Sequence, residues 1–279
     1  MTATTTVLVT CARGTVASSI VAGLEQRANV RIKAGSRSGE GAHGVALDYA
    51  DADTFGPALA GVDAVFVLVP GGVVDGFAFA APFVRVAAMK KVRIVLMTAM
   101  GIEHAPDSPY GQLEQLVTSS KAPYVILRPN WFADNFHTYW SHGVKTGVIA
   151  VPAADGASSF IDARDIAASA VAALTSSKFD NRAFTLTGPQ AFTYAEAATL
   201  LGKHLDKAIR YEALLDEPFV AGMVGAGVPE DYARMLTSIF VPVRAGYTAA
   251  VTGDVETLTG KAPLTLDTYA RDHLAQLRG

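Results

Sequence analysis

The sequence is poor in the features that mark several common protein classes. It has a single cysteine, Cys11, among 279 residues, which fits a reducing, cytoplasmic compartment and leaves no intrachain disulfide. Charge is scarce: 18% of residues are Asp, Glu, Lys or Arg, the formal net charge is −3, and no run of basic residues occurs. That balance argues against nucleic acid or an anionic membrane as partner. Long apolar runs are absent as well. The most apolar region, Val62 to Met89, is interrupted by Asp63, Pro70, Asp75, Pro82 and Arg85, too often to span a bilayer. The N-terminal stretch MTATTTVLVTCARG lacks the basic n-region and apolar h-region of a secretory leader. Six histidines without metal-ligand spacing and one cysteine leave no metal site to expect.

What is present is an alternation of short β-branched runs with helical patterns. Thr5–Thr10, Val30–Ser36, Gly44–Asp48, Asp63–Val69, Arg93–Thr98 and Tyr124–Leu127 read as strands, and Gly14–Arg27, Asp51–Leu59 and Pro109–Ser120 as helices. The strands DAVFVLV and RIVLMT are near-continuously apolar, as a parallel sheet covered on both faces requires. The order implies βαβ units and an α/β fold: a doubly wound, parallel Rossmann-type sheet. After about residue 190 the pattern turns mainly helical, over Tyr194–His204, Glu217–Val224, Pro229–Phe240 and Leu266–Leu277. We therefore expect a dinucleotide-binding domain over residues 1–190, with a pocket-forming segment at 129–158, and a smaller helical substrate domain over 191–279.

A glycine motif has meaning where a strand turns into a helix. Here that turn reads Thr10-Cys11-Ala12-Arg13-Gly14-Thr15-Val16-Ala17, and of the three fingerprint glycines at 11, 14 and 17 only Gly14 remains. Gly14 stands where backbone approaches a pyrophosphate most closely. Ala17 adds one methyl; Cys11 is the graver change, because the turn after the strand favours a residue without Cβ. An emptied turn that no longer binds a nucleotide is the plain alternative. Two arginines oppose it. Arg13 lies inside the turn, and Arg37 follows the second strand, where an acidic residue would hold a ribose 2′-hydroxyl in an NAD binder. Together they suit a 2′-phosphate and favour NADP(H) over NAD(H).

These residues, with LDYADADTFGPALAGVDAVFVLVP, MTAMG, YVILRPNWFADNF, FIDARDIA and AFTLTGPQAFTYAEAA downstream, resemble the NmrA-like family of atypical short-chain dehydrogenases. That family includes NAD(P)H-dependent quinone and azo-compound reductases and redox-sensing regulators. The resemblance implies that Asp48 and Tyr49 sit beside the adenine, Val69, Pro70 and Gly71 under a cofactor ribose, and Thr98, Ala99 and Met100 near the nicotinamide. Pro129 to Phe132 would wall the nicotinamide and substrate pocket. The chain also departs from the wider superfamily. Its Tyr-x-x-x-Lys pair is missing, with Pro106 at the tyrosine position and Tyr110 at the lysine position, and the serine pair has become Thr98 and Ala99. Carbonyl–alcohol chemistry through a tyrosine general acid is therefore not expected.

Among other constellations, His104, Asp107, Tyr110 and Glu114 surround a loop-to-helix junction. Asp107 or Ser108 reads as a helix cap with Pro109 at the first position and Glu114 solvated, which leaves Tyr110, with Thr98, as catalytic candidates. Asp162 with Asp165 reads as a cap before an Ala-rich helix rather than as a catalytic pair. Trp131, Phe132, Phe136, Tyr139 and Trp140 form either a core stripe or a wall for a flat apolar ligand, with Asn130 and Asn135 as polar anchors. The apolar stretch after Pro70, GGVVDGFAFAAPFVRVAAM, reads as a pocket wall or an oligomer contact. The leading expectation is an NADPH-dependent oxidoreductase that delivers hydride to a small, apolar aromatic electrophile such as a quinone, acting as a monomer or homodimer. A non-catalytic NADP(H) sensor, and a cofactor-free isomerase or cyclase in the same cleft, are the alternatives.

Overall fold

A computed structural model gives the fold of residues 4–279. Residues 1–3, which begin the stretch read above for a leader, lie outside the described residues. The chain forms two compact units. The first takes in the chain through Pro129 together with Ala163–Thr185 and Asp254–Lys261; the second takes Asn130–Asp162, Leu186–Gly253 and Ala262–Gly279. The units alternate along the chain, where the sequence reading draws one boundary at residue 190.

The first unit follows the order β1 (Thr5–Val9), α1 (Thr15–Glu25), β2 (Val30–Ser36), β3 (Gly44–Ala46), β4 (Ala64–Val67), α2 (Gly76–Met89), β5 (Arg93–Met97), α3 (Pro109–Ser119), β6 (Tyr124–Pro129), α4 (Ala163–Thr175) and β7 (Arg182–Leu186). Its sheet runs β3-β2-β1-β4-β5-β6-β7. The registered pairs are parallel: Val7 faces Ile32 on β2 and Ala64 on β4. The chain thus reverses its direction of travel across the sheet between β1 and β4. Ligands of open α/β sheets bind at that switch point, outside the strands' carboxyl ends. Alternate residues face opposite layers, as a pleated strand demands. Leu8, Val65, Val67, Ile94 and Leu96 pack into one cluster with Phe83, Val84 and Ala87 of α2 and Leu113 and Val117 of α3. The other face is covered by α1 and α4, which come so close that a Cβ on Gly23 would lie 3.1 Å from Val171 Cγ2.

Three local expectations change. The helix drawn over Asp51–Leu59 splits into a 3-10 turn, Ala52–Thr54, and a single α turn, Phe55–Ala58. Asp51 caps the first piece, and Pro57 is tolerated only because the second is no longer than a first turn. The apolar stretch after Pro70 is chiefly core: Ala80, Ala81, Phe83, Val84, Ala87 and Ala88 of α2 are buried, with Met89 exposed at its end. The helix drawn over Leu266–Leu277 breaks at His273 into Leu266–Asp272 and Leu274–Arg278.

The second unit is mainly helical, with short strand pairs that the hydrophobic pattern did not reveal. Val148–Val151 pairs in parallel with Arg210–Ala213, and Ala157–Ser158 antiparallel with Phe192–Thr193. The helix Tyr194–Leu205 opens on a capping box in which Thr193 and Glu196 satisfy each other's backbone amides. Its core gathers Phe136, Ile149, Val151, Phe160, Tyr194, Leu201, Phe240 and Tyr269.

Candidate functional site

The turn after β1 keeps the backbone of a dinucleotide loop although it has lost the glycines. Cys11 sits at φ +51°, the left-handed region that the first fingerprint glycine normally supplies. For a residue with a Cβ that conformation costs about 1–2 kcal/mol. It is held by Ala12 N donating to Gly35 O at 3.0 Å and Gly14 N donating to Cys11 O at 2.9 Å. Gly14 is exposed, and a Cβ there would meet only Cys11 O, at 3.4 Å. Packing does not demand glycine at 14; its missing side chain leaves the backbone open to the outside. No side chain caps α1, and its first turn has no acidic residue. The free amides at Thr15 and Val16 therefore present a positive helix end to an anion. Ala17 is buried without displacing the helix.

The hydrogen bond from Ala12 to Gly35 also lays the end of β2 beside the turn. Arg13 and Arg37 are both exposed, and neither has an ion-pair partner among the described residues. Arg37 rides on a tight loop. Ser36 O takes Gly39 N at 3.1 Å, and Gly39, at φ +66°, could not carry a Cβ, which would fall 2.7 Å from Ala46 N.

Beneath the turn lie groups expected at the adenine. The Tyr49 ring packs on Phe79 and Phe83. Its hydroxyl and that of Thr10 are buried with no hydrogen-bond partner among the described residues. Burial pushes the Tyr49 phenol far above its ordinary range, with the neighbouring Cys11 adding to it, and burial also pushes the Cys11 thiol up. A thiol so placed is a poor nucleophile. Asp48 shapes the following turn, its Oδ1 accepting from Ala50 N at 3.0 Å.

At the carboxyl edge, Val69 is buried and lies against Gly76, the first residue of α2; Pro70 is half-buried and Gly71 exposed. Thr98 follows β5 and is buried, and its hydroxyl donates to Glu114 Oε1 at 2.7 Å. Glu114 departs from the solvated role drawn for it. It is 6% exposed and takes Arg128 in a fork, Nε at 3.0 Å and Nη2 at 2.6 Å. The Thr98 expectation changes with it: its one proton is committed inside the protein, so it is no acid for substrate. Met100 N donates to Pro129 O at 3.0 Å, joining the ends of β5 and β6. Ala99 and Met100 are half-buried. Ser108, not Asp107, caps α3, accepting from Gly111 N at 3.1 Å. Tyr110, in the first turn of α3, packs half-buried against the core.

In the second unit the aromatic group is more core than wall. Asn130 is 4% exposed; its Nδ2 donates to Ser159 Oγ and Thr248 O, both at 2.7 Å, and its Oδ1 accepts from Trp131 N at 2.8 Å. With every polar atom engaged it is a cross-link, and the role of acceptor anchor drawn for it does not hold. Phe136 is fully buried. Trp131 lies 5.6 Å from Trp140 and 4.7 Å from Phe240, ring centre to ring centre, and Trp140 is edge-on to Phe136 at 5.1 Å. Phe132 and Asn135 differ: both are half-buried and neither side chain has a ring contact or hydrogen bond among the described residues. A neighbouring group escaped the sequence altogether. His137 Nδ1 meets the buried Tyr269 hydroxyl at 2.5 Å and its ring stacks on His273 at 5.3 Å. Burial holds the His137 pKa below its ordinary value, against the pull of Asp134.

Residues 12–177 match the family described as NAD(P)H-binding. Over 96% of its length the chain is 33% identical to NAD(P)H azoreductase of Xenophilus azovorans, covering 98% of that protein. In fold it is similar to the NADPH-dependent quinone oxidoreductase of Escherichia coli crystallised with NADPH, with TM-score 0.85, 22% identity, and coverage of 96% of this chain and 99% of that one. Triphenylmethane reductase of Citrobacter sp., complexed with NADP(H), superposes with TM-score 0.79 at 22% identity, covering 96% and 99%.

Proposed function

Because this chain belongs to the NAD(P)H-binding family, we propose that it is an NADPH-dependent oxidoreductase that delivers hydride to an apolar aromatic acceptor such as a quinone. The observation that carries the reading is the left-handed Cys11 before the exposed Gly14. It retains the dinucleotide turn's backbone where the glycine count suggests an emptied one. The activities named for the azoreductase and quinone oxidoreductase relatives support the enzyme over a sensor or a cofactor-free catalyst.

A reduced nicotinamide, when bound, supplies the hydride. This chain's residues bind and orient. Arg13 and Arg37 hold a 2′-phosphate by charge-assisted hydrogen bonds, and the free amides of Thr15 and Val16 hold the pyrophosphate where Gly14 leaves the backbone open to it. Val69 to Gly71 support the ribose, and the backbone of Ala99 and Met100 borders the nicotinamide. In the second unit, Phe132 and Asn135 are the side chains free to meet an acceptor, whereas Trp131, Phe136 and Trp140 pack among themselves. Tyr110 is at most an accessory proton donor, because quinone oxygens can be protonated by water. The single cysteine suits a cytoplasmic setting, and the protein acts there as a monomer or homodimer. Among the described residues no helix is long and apolar enough to cross a membrane.

Titration with NADPH and NADH, followed by NADPH oxidation with a flat quinone and no added flavin or metal, tests this. We expect NADPH to bind the tighter and to be consumed, with Tyr110→Phe slowing turnover only slightly. Binding without turnover across a broad acceptor panel points to the sensor, and the absence of both binding and turnover refutes the proposal.

A further inference from the structure

Arg128 is the one charge in the strand YVILRP, and a guanidinium in such a strand must be matched by an anion. Its match is Glu114, and the carboxylate reaches further. Glu114 Oε1 accepts both from Arg128 Nε and from the Thr98 hydroxyl, while Arg128 also stands 3.6 Å from Glu103. Thr98 and Glu103 are the two ends of the turn that leaves β5. Arg128 therefore pins one end directly and the other through Glu114. Between them the turn is shaped by Met100 N to Pro129 O and by Gly101 at φ +90°. The helix bringing Glu114 starts closely seated: Ser108 caps it, and Gly111 passes so near the preceding turn that a Cβ there would fall 2.2 Å from Ala105 O.

We infer that Glu114 is a positioning residue for hydride transfer, fixing the turn 98–103 whose backbone borders the nicotinamide. The inference rests on the proposed function in placing that turn beside the nicotinamide. A hydroxyl has one proton, and Thr98 spends its proton on Glu114. Thr98 thus serves as the strut between Glu114 and the turn, and protonation of the acceptor falls to water or to another group. Arg–carboxylate pairs buried to this degree add little net stability over apolar residues of the same volume. Their effect here is a defined turn geometry.

The position of the nicotinamide can be read separately from affinity, which the arginines and the helix end dominate. We would measure the emission of bound NADPH, its Kd, and kcat with a quinone, for Glu114→Gln, Thr98→Val, Thr98→Ser and the double variant combining Glu114→Gln with Thr98→Val. Glu114→Gln and Thr98→Val are expected to shift the emission of the bound nicotinamide and to lower kcat roughly tenfold, about one charge-assisted hydrogen bond's worth. Kd should stay within about threefold of wild type. Thr98→Ser, which keeps the hydroxyl, should restore emission and kcat. The double variant should be no worse than the poorer single one, because both substitutions break one link. Wild-type emission and kcat in Glu114→Gln and Thr98→Val would overturn the inference while leaving the reductase reading intact, as would additive losses that Thr98→Ser does not restore. A wild-type protein that binds no NADPH overturns both.

Discussion

Asn130 offers the sharpest test of site against scaffold. Replacement by Leu keeps the branched outline, with bulkier methyl groups, and removes three hydrogen bonds: two donated by Nδ2, to Ser159 Oγ and Thr248 O, and one accepted from Trp131 N. Ser159 retains another partner, since its hydroxyl donates to Ala250 O at 2.8 Å. The Thr248 carbonyl keeps Ser159 N, and the half-buried Trp131 N loses its acceptor. At about 1 kcal/mol for each of the three bonds, the loss is about 3 kcal/mol. For a domain of this size that lowers Tm by roughly 6–12 °C. The chain has two tryptophans, Trp131 and Trp140, both in the second unit, so their emission during thermal or urea unfolding reports the unit in which Asn130 sits. Asn130→Asp keeps the acceptor for Trp131 but loses both donors and sets a negative charge against Thr248 O; it should be at least as damaging. If Asn130→Leu unfolds with the wild type while the acceptor's KM rises about tenfold, the side chain is a substrate anchor and the cross-link argument is wrong.

Two further outcomes follow from the turn. Arg37→Ala should bring the affinities for NADPH and NADH closer by roughly tenfold, the value of one charge-assisted contact to phosphate, read by titrating both cofactors; an unchanged ratio removes Arg37 from the 2′-phosphate site. Cys11→Gly removes a left-handed cost of about 1–2 kcal/mol against a glycine entropy cost of about 0.5–1 kcal/mol. NADPH affinity should then hold or improve, and a loss of binding in that variant would mean that the turn depends on the thiol.

The sheet was legible because its physics is local. DAVFVLV and RIVLMT are apolar on both faces, and between helical patterns that is how a doubly covered parallel strand reads. The seventh strand, RAFTL, was missed because its residues alternate in burial and its first two are exposed, as at an edge. The turn after β1 was legible because its strand-to-helix backbone is local, and the site was less legible where side chains choose among partners. Glu114 looked solvated because a helix position tells nothing of what faces it across a sheet, although Arg128 in an apolar strand was a signal that some anion must. Asn130 looked like an anchor because an asparagine at a strand's carboxyl end suits a ligand as well as it suits Ser159 and Thr248. The cross-link is made by residues 29 and 118 positions away, which no local pattern reaches.

The loss of two glycines from the fingerprint weighs less in this chain than a count suggests. A motif of glycines stands for a set of backbone conformations, and the conformation is what a pyrophosphate meets. Cys11 is one of six non-glycine residues at positive φ among the described residues, the others being Lys91, Lys121, Ala154, Asn181 and Asp206. Lys91 and Lys121 follow the ends of α2 and α3, and Asp206 caps the helix Tyr194–Leu205, all places where glycine is the usual choice. The fold repeatedly holds left-handed backbone with ordinary side chains, each at a cost that the surrounding hydrogen bonds offset. At Cys11 those bonds are Ala12 to Gly35 and Gly14 to Cys11, and the first of them also brings Arg37's strand to the turn. The same contact that lets a cysteine stand where glycine is expected thus brings the end of the strand before Arg37 to the turn that carries Arg13. The shape of the turn and the placing of Arg37's strand thus rest on one hydrogen bond.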